Sequence, residues 1–200
     1  MSHPHIVPLL AEHEGLLIYP YIEGCNLAQA FKKKPSQDDF IKMLEDILSA
    51  LEYSHAQGVI HCDIKPSNIL IRPSGRAVLS DFGFAKDKEL MTITLDTMRM
   101  GTPQYMSPEQ FQGQRDDPRN DIYSLGAVIY HWLYGEPPFG KKLLSFLLGQ
   151  AEIQLKLKAH PLSAIAQRAL AYRASERFQS VRAMQEALTH LALAKVEEER

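Results

Sequence analysis

The chain has 200 residues, of which 45% are hydrophobic and 23% are charged, and its formal net charge is −2. This length and composition allow one globular domain with a sizeable core, or two small lobes. The nearly balanced charge gives no electrostatic attraction to nucleic acid or to an anionic membrane, so neither is expected as a partner. Two cysteines without a C-x-x-C pair provide neither a disulfide framework nor a zinc site.

The sequence shows no targeting or membrane-spanning segment. Met1 is followed by SHPHIVPLL, which lacks the charged start and long apolar core of a signal peptide. The most apolar stretches are about a dozen residues long, which is too short to span a bilayer. We therefore expect a cytoplasmic protein with reduced thiols and no membrane segment.

The first part of the chain predicts a small β region and a long helix. HIVPLL (5–10) and GLLIYPYI (15–22) predict two short strands joined by a turn at Gly15. Ser36, followed three residues later by Asp39, predicts a helix start, and helical apolar spacing continues up to Gly58, which is placed to end it. ILIRPSGRAVLS (69–80) then predicts a β-hairpin.

The second part of the chain predicts a mostly helical body. Residues 81–120 lack periodicity and predict a long loop, which inside a compact domain is usually functional. DIYSLGAVIYHWLY (121–134) is apolar almost all round, which predicts a helix buried in the core. KLLSFLLG (142–149), LSAIAQRAL (162–170) and SVRAMQEALTHLAL (180–193) have helical spacing, and KVEEER (195–200) is expected to be a frayed, charged tail.

Polar side chains follow two neighbouring strands of this region. HCDIKPSN (61–68) places Asp63, Lys65 and Asn68 in a loop before the hairpin, and Asp81 directly follows the hairpin's second strand. Carboxylate and amide oxygens at adjoining strand ends suit Mg²⁺ and its phosphate ligands. A lysine beside them suits a transferring phosphoryl group, whose charge must be stabilised. A purely structural role of these polar residues is the alternative.

Four motifs carry a resemblance to a known family. HCDIKPSN, DFG (81–83), GTPQYMSPE (101–109) and DIYSLG (121–126) resemble, in order and spacing, the catalytic-domain motifs of eukaryotic-type (Hanks-type) serine/threonine protein kinases. The resemblance implies an α+β, protein-kinase-like fold, mainly the helical C-lobe with the last two N-lobe strands. Residues 1–22 would be the N-lobe remnant with the hinge, 23–194 the C-lobe, and 195–200 the tail.

The resemblance also implies the reaction and its residues. The chain would transfer the γ-phosphoryl group of ATP to a Ser or Thr of a protein substrate, with Mg²⁺ as the metal. Asp63 would orient the substrate hydroxyl and accept its proton, and Lys65 would steady the γ-phosphate. Asn68 and Asp81 would hold magnesium. Thr102 matches the threonine that bonds near the catalytic aspartate in the serine/threonine subclass.

A second set of residues would bind the nucleotide. By the resemblance, Tyr19 would be the gatekeeper beside adenine, and Ile22 would donate its N–H to the ring. Pro20 would contribute only its carbonyl, so its missing N–H has no consequence there. Leu70 would be the apolar floor below adenine, and Asn26 would reach the ribose.

A third set would be structural. His61 and Phe82 are expected to pack in an apolar spine that also includes Leu9. The remaining structural residues are Asp121, which would anchor the backbone of the catalytic loop, and Glu109 with Arg177, which would form a buried ion pair.

Cys62 departs from the family pattern. The family usually carries an arginine at this position, and that arginine grips a phosphate on the activation loop, which a neutral cysteine cannot do. We therefore expect that loop phosphorylation is not a required switch, although Thr92, Thr94 and Thr97 are candidate phosphorylation sites.

The second departure is the absence of a G-x-G-x-x-G loop, a strand lysine and a helix glutamate before His3. Without these parts the clamp over the ATP phosphates is incomplete, so we expect weak Mg-ATP binding and weak or no phosphoryl transfer by the chain alone. Three interpretations remain: the C-terminal part of a kinase that starts upstream, a pseudokinase acting as a protein-binding scaffold, or a partial kinase completed by another chain. The intact set Asp63, Lys65, Asn68 and Asp81 favours the first.

Overall fold

The protein combines two small antiparallel sheets with a helical body, which confirms the predicted α+β class. The computed structural model describes residues 1–82, 102–150, 155 and 157–198. Strands β1 (Ala11–His13) and β2 (Leu16–Ile18) form a two-stranded sheet. A three-stranded sheet has the order β3–β4–β5, with β3 (Cys25–Asn26), β4 (Ile69–Ile71) and β5 (Ala77–Leu79).

Two α-helices lie between β3 and β4 in the chain and the others follow β5, with short 3₁₀ turns between the elements. Among the described residues, none of the helices is both long and apolar enough to cross a membrane. The α-helices are α1 (Leu27–Phe31), α2 (Gln37–Ala56), α3 (Pro108–Phe111), α4 (Arg119–Tyr134), α5 (Leu143–Leu147), α6 (Pro161–Ala169) and α7 (Val181–Glu198), and the 3₁₀ turns are Pro66–Asn68, Thr102–Tyr105, Gly140–Lys142 and Ala174–Glu176.

Helix α2 begins where the sequence predicts. The Ser36 hydroxyl accepts a hydrogen bond from the Asp39 N–H at 3.1 Å and so caps the first turn. Asp38 and Asp39 place negative charge at the positive end of the helix dipole. The apolar face of the helix is buried, with Phe40 and Leu51 fully excluded from solvent, and it packs against β5. This helix positions the loop that follows it.

Helix α4 is buried on nearly all sides, as its apolar sequence predicts. It packs closely against α6, and Gly126 makes this approach possible. A Cβ atom at Gly126 would lie 2.6 Å from the Cβ of Ala169. The helix therefore forms the centre of the core, and residues at its first turn can reach the polar loops.

The first strand lies further along the chain than predicted. Residues 5–7 run beside β5 instead, with the Val7 N–H donating to the Leu79 carbonyl and the Leu79 N–H donating to the His5 carbonyl, both at 2.9 Å. Pro8 has no N–H and ends this pairing, so β1 begins only at Ala11. The second predicted strand is also shorter, because β2 ends before Pro20.

Two further expectations need correction. The region predicted as one long loop contains the Thr102–Tyr105 turn, α3 and the start of α4, while residues 83–101 lie outside the described residues. The backbone of α7 is helical through Glu198, over most of the segment expected to be frayed. Residues 181–198 contain no glycine or proline, so nothing in that stretch interrupts the helix.

Candidate active site

The loop 61–68 is held at its start by Asp121 from the first turn of α4. Asp121 is fully buried, and its two carboxylate oxygens accept the N–H of His61 at 2.8 Å and the N–H of Cys62 at 2.9 Å. His55 at the end of α2 lies 2.8 Å from the same carboxylate through Nε2. A carboxylate only accepts hydrogen bonds, so His55 Nε2 carries the proton. One side chain thus ties the loop to two helices.

Lys65 and Asn68 both contact Asp63. The Lys65 ammonium donates to Asp63 Oδ2 at 2.7 Å, and the Asn68 amide donates to the same oxygen at 2.9 Å. Asn68 Nδ2 also donates to the Asp63 carbonyl at 2.9 Å. The Asn68 nitrogen is therefore committed to Asp63, which leaves its Oδ1 to accept from the Ser67 hydroxyl at 3.4 Å or to bind a cation.

The β4–β5 hairpin brings Asp81 next to this cluster. The Ser80 N–H donates to the Asn68 carbonyl at 2.9 Å, so the end of β5 is bonded to the end of the loop. The Ser80 hydroxyl donates to Asp81 Oδ2 at 3.0 Å. Asp81 is exposed and has a φ of 63°, a left-handed conformation that aspartate tolerates better than most residues. Its carboxylate stands at the solvent edge beside Asn68.

His61 fixes the loop to the end of β5. Its Nε2 lies 2.7 Å from the Ser80 carbonyl and must donate to it, so Nδ1 is unprotonated and accepts the Asp63 N–H at 3.2 Å. The Phe82 ring packs edge-on against the imidazole, with centroids 4.5 Å apart. Leu9, expected in the same spine, is 47% exposed.

Cys62 presents a neutral group at the position where the family carries arginine. It is buried, has a φ of 63°, and its thiol donates to the Arg115 carbonyl at 3.4 Å. Burial, with the nearby Asp121 carboxylate, raises the pKa of the thiol to about 12. The Cys62 carbonyl accepts a hydrogen bond from the Gln110 amide of α3.

The segment before α3 is locked by a capping box. The Ser107 hydroxyl accepts the Gln110 N–H at 3.1 Å and donates to Asn120 Oδ1 at 2.7 Å. Pro108 occupies the first helical position, where its missing N–H has no cost. Upstream, the Tyr105 hydroxyl bonds His131 Nδ1 of α4 at 2.7 Å. The segment is thus attached to α4 at two points.

Glu109 and Arg177 form a bidentate ion pair. The Arg177 side chain is completely buried, and its two terminal nitrogens donate to the two Glu109 oxygens. The remaining donors reach the carbonyls of Ala171, Tyr172 and Arg119. Because every charged atom has a partner, the pair is compatible with its burial and serves the packing of α3 against the C-terminal part of the chain.

The residues assigned to the nucleotide lie around β3 and β4. Asn26 is paired in register with Leu70, which is half-buried. Gly24 has a φ of 132°, and a Cβ atom there would lie 1.9 Å from the Ile71 carbonyl oxygen, so only glycine allows β3 to approach β4 this closely. Burial raises the pKa of Tyr19, and the charge of Asp81 raises it further.

One residue assigned to the nucleotide has another contact in the structure. The Asn26 side chain, assigned to the ribose, accepts the Gln29 N–H at 2.9 Å and caps α1. Pro20 and Ile22 are half-buried in the segment between β2 and β3. Thr92, Thr94 and Thr97 lie outside the described residues, as does the side chain of Thr102.

The donor set fits magnesium bound together with phosphates. The described residues contain no group of three or more His, Cys, Asp or Glu side chains that would hold a metal by themselves. Mg²⁺ is typically held by one or two protein oxygens, with phosphate and water oxygens completing its shell. Asn68 Oδ1 and the exposed Asp81 carboxylate provide two such oxygens on adjoining backbone segments.

Sequence reasoning missed two contacts around the loop. The bond of His55 to Asp121 carries no local signal in the sequence. Gln110 belongs to the pattern Ser-x-x-Gln at 107–110, which is typical of a capping box and predicts the helix start but not the bond to Cys62.

Comparison with known proteins identifies similar sequences. The sequence model of the family described as protein kinase domain matches residues 1–192. The probable serine/threonine-protein kinase PknB of Bifidobacterium longum is 41% identical over 133 residues, which cover 64% of this chain and 19% of that protein. The serine/threonine-protein kinase PknB of Mycobacterium leprae is 36% identical over 151 residues, or 70% of this chain and 24% of that protein.

A third relative matches a shorter part more closely. The serine/threonine-protein kinase PknA of Mycobacterium tuberculosis is 46% identical over 99 residues, which cover 50% of this chain and 23% of that protein. The chain therefore spans about a fifth to a quarter of the length of these relatives, between 19% and 24%.

Proposed function

The chain belongs to the protein kinase domain family, and from this membership we propose that it carries the catalytic lobe of a serine/threonine protein kinase. The proposed reaction transfers the γ-phosphoryl group of ATP to a Ser or Thr hydroxyl of a protein substrate. The observation that supports it most is the contact of Asp63 with Lys65 and Asn68, beside the exposed carboxylate of Asp81.

Asp63 has the environment of a base that acts on a hydroxyl. Lys65 and Asn68 both bond Oδ2, and no described side chain is bonded to Oδ1, which is therefore the oxygen that would accept the substrate proton. The substrate oxygen would form a bond to the γ-phosphorus as the bond to the ADP oxygen breaks. The Lys65 ammonium would offset charge on the transferring group. Asn68 and Asp81 would hold Mg²⁺, which when bound would neutralise charge on the phosphates.

The activity of the 200-residue chain alone is proposed to be weak. The chain contains no G-x-G-x-x-G sequence, so the backbone amides that would cover the phosphates in this family are not supplied by these residues. The same observation supports a second candidate, a pseudokinase that acts as a protein-binding scaffold. The retained set of Asp63, Lys65, Asn68 and Asp81 supports catalysis over the scaffold. We place the reaction in the cytoplasm, where ATP and protein acceptors are available.

The test compares the chain with its Asp63→Asn variant. Phosphoryl transfer from Mg-ATP to a generic acceptor such as casein is measured for both proteins. Kinases turn over at roughly 1–100 s⁻¹, and we expect the chain to be at least about 100-fold slower, with transfer abolished in Asp63→Asn.

Two results would contradict parts of this proposal. Equal signals from the chain and from Asp63→Asn would reject catalysis at this site and favour the scaffold. Transfer at an ordinary kinase rate, lost in Asp63→Asn, would show that the chain needs no further parts. An in-frame glycine-rich loop and strand lysine in the upstream DNA would identify the chain as part of a longer kinase.

A further inference from the structure

A hydrogen bond joins α3 to the catalytic loop at Cys62. Gln110 is 1% exposed, and its Nε2 donates to the Cys62 carbonyl. The Cys62 N–H is bonded by Asp121, and the thiol by the Arg115 carbonyl. Both backbone polar groups of Cys62 are therefore satisfied by side chains from other elements, one from α3 and one from α4.

The conformation of Cys62 depends on such contacts. A φ of 63° is a left-handed conformation that a residue with a Cβ atom keeps only when its surroundings hold it there. Asp63 follows directly, so the backbone of Cys62 sets the direction in which the Asp63 side chain leaves the loop. A group that fixes the Cys62 carbonyl consequently fixes Asp63.

Gln110 is itself held in place by neighbouring polar groups. The Ser107 hydroxyl accepts the Gln110 N–H, and Ser107 N–H lies 3.4 Å from Gln110 Oε1. Ser107 is anchored to Asn120 Oδ1, and Asn120 donates to the Gln114 carbonyl at 3.1 Å. These contacts leave the Gln110 amide nitrogen facing the Cys62 carbonyl, which requires a donor.

We propose that Gln110 is a positioning residue, whose side-chain amide holds the Cys62–Asp63 peptide so that the Asp63 carboxylate is aligned without a phosphorylated residue. The inference rests on the proposed kinase function, and it extends that function to the way the catalytic loop is ordered. The Cys62 side chain provides no cation to bind a phosphate, whereas the neutral Gln110 amide donates to the Cys62 carbonyl in the folded chain. The loop would thus be set by folding rather than by modification.

The buried thiol gives a readout that does not depend on catalysis. In a Cys25→Ser background Cys62 is the chain's one remaining cysteine, and its alkylation by iodoacetamide reports opening of the loop. Gln110→Met keeps a side chain of similar length but removes the donor. Gln112→Met changes an exposed glutamine at the end of α3 and is the matched control. Alkylation rates are measured at a series of low urea concentrations, and urea unfolding curves are recorded for the same proteins.

We expect Gln110→Met to raise the Cys62 alkylation rate about fivefold to tenfold, as loss of one hydrogen bond allows. This increase should depend only weakly on urea, because local opening exposes little surface. Gln112→Met should stay within about twofold of the parent, since an exposed surface side chain contributes little. If the alkylation rate of Gln110→Met rises only by the factor by which the population of globally unfolded protein rises, the positioning role is overturned.

Kinetics provide the second readout. In Gln110→Met, kcat for phosphoryl transfer should fall while the KM for ATP stays constant, because the described side-chain bonds of Gln110 join it to Ser107 and Cys62 and not to the residues assigned to the nucleotide. A rise in the KM for ATP by the same factor as the fall in kcat would also count against the proposal. If the parent transfers no phosphate, the proposed function fails alone, and the alkylation rates still decide whether Gln110 holds the loop.

Discussion

Asp63 and Asp81 carry the same functional group in opposite settings. The Asp63 side chain is 9% exposed and is bonded by a lysine and an amide, whereas Asp81 is exposed and its carboxylate is bonded by the Ser80 hydroxyl. The first setting suits the proposed base, because it holds the carboxylate in one position, and the second leaves oxygens accessible to a cation. The left-handed backbone of Asp81 adds a conformational requirement to the chemical one.

Variants of Asp81 should separate these two requirements. Asparagine tolerates the left-handed conformation, so Asp81→Asn should leave the free energy of unfolding within about 0.5 kcal/mol of the parent. Asp81→Ala should cost about 1–2 kcal/mol in addition, because alanine does not adopt that conformation readily. Both variants should lose the Mg²⁺-dependent part of ADP binding, measured by calorimetry with and without the metal. Retained metal dependence in Asp81→Asn would remove Asp81 from the site.

The two cysteines should differ sharply in reactivity. Cys25 is exposed on β3, whereas Cys62 is buried and its pKa is raised to about 12. Ellman's reagent at pH 8 should therefore react rapidly with one thiol per chain, and with the second only after unfolding in urea, because the neutral thiol is not the nucleophile. Cys25→Ser should abolish the fast phase, and two fast thiols in the native protein would contradict the described environment of Cys62.

Contacts between residues close in the sequence could be predicted, whereas contacts between distant residues could not. Asp63, Lys65 and Asn68 lie within six residues of each other, so their contact could be expected from the motif alone. The use of Asn26 as a helix cap was not foreseen, although Gln29 three residues later is the usual capping partner. The bonds of His55 and Gln110 to distant groups had no sequence signal, because they depend on how α2 and α3 dock.

At the scale of elements, the packing of α4 against α6 depends on Gly126, which has no side chain. A Cβ at Gly126 would meet the Ala169 Cβ at 2.6 Å, a separation that real Cβ atoms do not show. Gly126→Ala should therefore push the helices apart and cost about 1–3 kcal/mol of unfolding free energy, despite the better helix propensity of alanine.

The matched test is the double variant. Ala169→Gly removes the atom that Gly126→Ala would strike, so the pair should be less destabilised than the sum of the two single variants. Urea unfolding of all four proteins gives the coupling energy directly. Additive losses would show that the strain at Gly126 is relieved elsewhere.

Elements with strong local signals were predicted from the sequence. Helix α2 has a capping serine and a continuous apolar face, the β4–β5 hairpin has a Pro-Ser-Gly turn, and α4 is apolar all round. Strand β1 was placed too early because HIVPLL has strand composition, while Pro8 ends its pairing. The kinase motifs identified the fold class, and the family match over residues 1–192 agrees with it.

For the molecule as a whole, three partly buried histidines set a pH dependence of stability. Burial lowers the pKa of His3, His131 and His160. The neighbouring His5 lowers that of His3 further, and Lys158 and Lys34 lower that of His160 further. The unfolded chain then binds more protons than the folded one as the pH falls through the ordinary histidine value near 6.5. Stability from these groups is therefore full at higher pH and decreases on acidification.

We expect the free energy of unfolding, measured by urea titration, to fall between pH 7.5 and pH 5.5. The Asp117 carboxyl, whose pKa is lowered mainly by its hydrogen bond from Arg119, contributes a constant stabilisation across this window, because that stabilisation is lost only as the pH falls through its own depressed value. His131→Gln and His160→Gln should each flatten the decrease. Stability that is constant or rises on acidification would contradict this assignment.

The docking of residues 3–7 has a consequence for the order in which the chain assembles. His5 bonds the Ala77 carbonyl, a partner 72 residues later in the sequence, and its neighbours pair with Leu79. On the ribosome this segment emerges before the β4–β5 hairpin, and its binding place does not exist until that hairpin has been made. Closing so long a loop is slow compared with forming α2 or the hairpin. Residues 3–7 are thus fixed only after the β4–β5 hairpin has formed, and any chaperone that holds them must release them at that stage.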